Sequence, residues 1–97
     1  MPYIKQEIRD QIDPAIENLL IAMMKTKVEG KAVLPSAGWY NYVITTLLNM
    51  GHVTTLYPNY DDINTIMGIL ESVKQEFYRR VAAPYEDKKV TENGDVY

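Results

Sequence analysis

The chain has 97 residues, a formal net charge of −3, 46% apolar and 24% charged residues, and no cysteine. This is ordinary globular composition for one domain with a modest core. It gives a phosphate-backbone binder no global electrostatic support, and it removes disulfides, thiolate zinc sites and cysteine nucleophiles.

The N-terminal residues Met1 to Glu7 lack the apolar core of a signal peptide, and the longest apolar run, Leu19 to Met24, is too short to cross a bilayer. The expectation is a soluble cytoplasmic protein with neither a membrane nor a nucleic-acid polymer as partner. Ile4, Ile8 and Ile12 recur every fourth residue and define a short N-terminal arm, helical when its isoleucine edge docks. Asp13-Pro14 reads as a cap and first helical position. The helix that follows is expected from Pro14 to about Glu29, with Ile16, Leu19, Leu20 and Met23 on one face, and Gly30 stops it. Ile21, Ala22 and Met24 widen its apolar surface nearly all round, which calls for more than one neighbour.

Residues 31–36 read as a loop, and Pro35-Ser36 as the start of a second helix. From Ala37 to Met50, Trp39, Tyr40, Val43, Ile44, Leu47 and Leu48 keep helical spacing, although a strand over Tyr40 to Thr46 competes. Residues 51–60 form a connection in which Leu56 and Tyr57 are pinned to the core and Tyr60 staples the next helix. The third helix is expected from Asp62 to Val81, striped by Ile63, Ile66, Met67, Leu70, Val73, Phe77 and Val81. Gly68 lies inside it at a cost of about 1 kcal/mol relative to Ala, explained by close approach of a neighbouring helix. Pro84 predicts a kink or break at residues 82–84, with a short helix beyond it to about Glu92 and a turn at Asn93-Gly94.

Chemistry-bearing residues are few. The single histidine, His52, follows a helix end, where an imidazole suits the dipole better than it suggests catalysis. Asp61 and Asp62 fit capping at a helix start, and Glu76 sits four residues before Arg80 in the favourable ion-pair orientation. No P-loop, nucleophile elbow, dinucleotide fingerprint or Glu-x-x-His pair is present, so neither a metal nor a cofactor is expected and an enzyme is disfavoured. Aromatic usage carries more information: eight tyrosines stand against one Phe and one Trp. Tyrosine suits half-buried interfaces and pockets for planar ligands, and arginine adds a fork for carboxylate or phosphate. Tyr78, Arg79, Arg80 and Tyr85 cluster near the expected break, and Trp39, Tyr40 and Tyr42 share one helix. The competing reading makes this a tyrosine-rich interface whose arginines pair with Glu86, Asp87 or the terminal carboxylate.

The start Met-Pro-Tyr-Ile-Lys-Gln-Glu, the middle Asn41-Tyr42-Val43-Ile44-Thr45 and the ending Glu76-Phe77-Tyr78-Arg79-Arg80-Val81 through Pro84-Tyr85-Glu86-Asp87 to Glu92-Asn93-Gly94-Asp95-Val96-Tyr97 resemble a family of small uncharacterised proteins. Its members occur in bacteria, archaea and their phages, and the resemblance spans nearly the whole chain without implying an activity. It implies that Asn93, Asp95 and Tyr97 belong to the fold or a site. Where the family pattern has Gly-x-Leu-Asn-Tyr, this chain has Gly38-Trp39-Tyr40-Asn41-Tyr42, which alters the surroundings of Asn41.

The resulting expectation is an all-α domain of three principal helices, a short N-terminal arm and a C-terminal helical extension, assembling as a homo-oligomer. Its function is expected to be non-enzymatic binding of a small anionic, nucleotide-like ligand near a subunit interface, at Asn41, Tyr42, Tyr78, Arg79, Arg80, Tyr85, Asn93, Asp95 and Tyr97. A phage setting makes sequestration of a signalling nucleotide one form of that reading. The alternatives are a structural or adaptor protein acting through the same surface, and a small hydrolase using Asp61, Asp62 or His52.

Overall fold

The computed structural model describes residues 2–51 and 59–97. The fold is all-α with one small hairpin. In chain order come α1 (Gln6–Met24), β1 (Lys27–Val28), β2 (Lys31–Ala32), α2 (Ala37–Gly51), α3 (Tyr60–Phe77), a π-helical turn (Tyr78–Ala82) and α4 (Ala83–Asn93). The chain divides into two compact units, Tyr3–Leu56 and Met1–Pro2 with Tyr57–Tyr97. The expected roles of His52, Leu56 and Tyr57 lie outside the described residues.

In the first unit the expected arm is not separate from the helix. α1 begins at Gln6 and carries Pro14 in its interior, so Asp13 is not its cap. The isoleucine stripe explains this: Ile4, Ile8, Ile12 and Ile16 stay in one register across the proline, and a continuous apolar edge outweighs one missing N–H. The entry is tied down by Arg9, whose Nε donates to the Ile4 carbonyl at 2.8 Å. α1 also ends earlier than expected. The Lys25 N–H closes on Ile21 at 3.0 Å, and the Thr26 hydroxyl donates to the Ala22 carbonyl at 2.8 Å.

Gly30 is therefore a hairpin residue and not the helix stop. β1 and β2 pair antiparallel with Lys27 opposite Ala32 and Val28 opposite Lys31. The two residues between them, Glu29 and Gly30, have φ of 52° and 77°, the double left-handed geometry of a tight hairpin turn. Residues 31 and 32 thus belong to a strand where a loop was expected. α2 then forms as a helix despite its β-branched and aromatic content, with the Ser36 carbonyl accepting from Trp39 and Tyr40. Met23, 7% exposed, is the one buried apolar side chain among the described residues. It lies at the corner where the end of α1 meets the start of α2, beside Trp39 and Val43.

In the second unit the cap of α3 is Asn59, whose Oδ1 accepts the Asp62 N–H at 2.9 Å. Tyr60 is the first helical residue and is exposed, so it does not act as a staple. The expected break at 82–84 is replaced by the π turn. In a regular α-helix Pro84 would offer no N–H to the Arg80 carbonyl and would press its ring on that turn. Widening the helix avoids the clash: the Ala83 N–H closes on the Tyr78 carbonyl, five residues back, and Pro84 falls in the first turn of α4. α4 ends at Gly94, whose φ of 90° and N–H bond to Val90 at 2.8 Å stop the helix. Among the described residues Gly68 has no atom within 4 Å of where a Cβ would stand, so close approach of another described helix does not explain it.

Pro14 gives a direct check of α1. An interior proline costs about 3 kcal/mol relative to alanine, whereas at a first helical position the exchange is nearly neutral. Pro14→Ala is expected to raise both the melting temperature and the helical circular dichroism signal.

Candidate functional site

The π turn sets the geometry of the basic cluster. It places Tyr78, Arg79 and Arg80 in succession where the helix is widened, with Tyr85 in the first turn of α4. Arg79 Nη2 donates to both oxygens of the Glu76 carboxylate, at 3.2 and 3.1 Å. Glu76 was expected to pair with Arg80. The structure pairs it with Arg79 one position earlier, so of the acids considered for that arginine it is the preceding Glu76 that holds it. Tyr85 holds the Lys89 ammonium 5.5 Å from its ring centroid. This cation–π contact joins residues four apart on one helix face, a spacing already present in the sequence.

Two open grooves border the cluster. The larger, about 710 Å³, is lined by Pro2 and the α3 face containing Gly68, Ile69, Val73 and Phe77, with Arg80 and Val81 at its end. The smaller, about 550 Å³, runs past Glu71, Gln75, Glu76, Tyr78 and Arg79. The first combines an apolar wall with a guanidinium at one end; the second is polar and includes the Glu76–Arg79 pair.

The remaining predicted site residues are not gathered here. α4 carries the chain onward from the π turn, and a rise of 1.5 Å per residue sets Asn93 about 20 Å along the helix axis from Arg80. The expectation that a break would fold the ending back on the arginines therefore fails, because there is no break. Asp95 instead accepts the Tyr97 N–H at 2.8 Å in a local turn, and Val96 and Tyr97 are fully exposed. Asn41 and Tyr42 lie on α2 in the other unit. There Tyr42 lines a separate groove of about 340 Å³ with Met23, Trp39 and Val43.

Asp61 and Asp62 occupy the first turn of α3, where carboxylates suit the positive end of the helix dipole. Among the described residues no three acidic or histidine side chains are arranged to hold a metal ion. No helix among them is long and apolar enough to cross a membrane.

The family model for Domain of unknown function (DUF6899) matches residues 1–96, and the chain belongs to that family. No curated protein matches the chain, and no solved structure matches it.

The Glu76–Arg79 pair is solvent-facing on the arginine side, with 61% of the Arg79 side chain exposed. Water screening limits such a pair to about 0.3–0.5 kcal/mol. Only 20% of the Glu76 side chain is exposed and it has contacts beyond this pair, so Glu76→Ala is expected to lower the chemical-denaturation midpoint by more than the pair alone accounts for. An unchanged midpoint would show that this carboxylate adds nothing to stability.

Proposed function

We propose that this is a non-enzymatic cytoplasmic binding protein that takes a small anionic ligand with a planar or apolar body at the π turn. The observation that carries this reading is the placement of Tyr78, Arg79 and Arg80 in a widened turn between two open grooves. π turns are disproportionately found at functional sites. A guanidinium at the end of an apolar groove suits a ligand with one charged and one hydrophobic end, and Tyr78 and Tyr85 add ring surface for stacking. Nucleotide-like molecules have this chemistry, and sequestering one is a function that needs no catalytic group.

A second reading is supported by the exposed apolar stripes of α1 and α3: an adaptor that works by self-association. Ligand response separates the two. Thermal denaturation with a panel of mono-, di- and cyclic nucleotides is expected to show stabilisation of the wild-type protein. That stabilisation should be lost in Arg79→Ala and Arg80→Ala, over and above any change in their ligand-free melting temperatures. Equal responses in wild type and both variants, or no response to the panel, would overturn the ligand reading.

A further inference from the structure

The apolar stripe of α3 is left largely uncovered within its unit. Ile63, Met67, Leu70, Val73 and Phe77 are 42, 60, 38, 60 and 62% exposed. A stripe this open calls for a partner, and its sequence indicates which one.

These five residues of the stripe are spaced by four, three, three and four positions, a pattern that reads the same in both directions about Leu70. An antiparallel second copy centred on Leu70 therefore sets Ile63 against Phe77, Met67 against Val73, and Leu70 against itself. These five side chains then meet one another in a closed two-fold contact, flanked by Ile66 opposite Lys74 and Ile69 opposite Glu71. The charges agree with this direction. Arg80 lines one groove with Val73 and Phe77 and so stands at the C-terminal end of the stripe, while Asp62 lies in the first turn of α3 at the other end. In the antiparallel arrangement Arg80 of each copy comes within about one turn of the opposing Asp62. A parallel pairing would oppose like charges at both ends.

We infer that α3 is a self-recognition helix: two copies of this chain pair antiparallel through Ile63, Met67, Leu70, Val73 and Phe77, with Arg80 and Asp62 closing each end. The pairing covers Val73, Phe77 and Arg80 of the larger groove and so leaves a ligand the smaller groove past Tyr78 and Arg79; its test uses no ligand, so either reading can fail alone. Leu70 lies on the two-fold axis, and Ser72 lies roughly 160° away around the helix. The chain has no native cysteine, so single substitutions report position cleanly.

Sedimentation velocity on the full chain is expected to give twice the monomer mass or an even multiple of it, and Leu70→Glu to lower that mass. If Leu70→Glu fails to fold, mild oxidation of Leu70→Cys still reads the face: it should give a covalent dimer in high yield, and Ser72→Cys at least tenfold less. A wild-type monomer at every concentration, meaning that the chain covers its own stripe, would overturn the inference. So would an assembly in which Ser72→Cys cross-links as well as Leu70→Cys, or a complex formed only with a different protein.

Discussion

Apolar surface without cover is the constraint on which the rest of this structure depends. A helix with one apolar edge gains most of its stability from packing that edge, and comparatively little from helix propensity alone. α1 and α3 are 19 and 18 residues long, and each keeps a row of large aliphatic side chains about half exposed. Against this stands one buried apolar side chain among the described residues, Met23. Burying a single leucine-sized side chain contributes about 1.5–3 kcal/mol, far short of the ordering entropy of a chain this long. Burial among the described residues therefore supplies little of what holds these helices.

This constraint also accounts for the two prolines. Pro14 lies inside α1 and Pro84 just after the π turn, and neither ends the helical run. In each case the apolar register continues across the proline: Ile12 to Ile16 on one side, Phe77 and Val81 leading into α4 on the other. The backbone yields so that the edge stays continuous. At Pro84 the accommodation is visible as the five-residue turn that carries Tyr78, Arg79 and Arg80. A local backbone requirement thereby creates the most chemically distinctive surface on the protein.

Much of this was legible in the residues. The all-α class, the stripe of α3, the helix over 37–50 and the stop at Gly94 follow from apolar periodicity and glycine placement. The errors have a common source, which is reading a punctuating residue more strongly than the pattern around it. Asp13-Pro14 and Pro84 looked like boundaries, and Gly30 looked like a helix stop, although Glu29-Gly30 between Val28 and Lys31 makes a tight hairpin. The basic cluster was found because Tyr and Arg are adjacent in sequence. Its link to Asn93, Asp95 and Tyr97 was not supported, because it required a chain reversal that the π turn makes unnecessary. Glu76 was assigned to Arg80 by its ideal spacing and instead holds Arg79, one position closer.

If folding is completed by association, stability must depend on protein concentration, because mass action couples the two. The most direct measurement is the urea midpoint of the full-length chain over a hundredfold range of concentration. A midpoint that rises steadily with concentration, with a single cooperative transition, is the predicted result. A midpoint that stays the same across the range would show that the chain is stable alone, and would contradict the account.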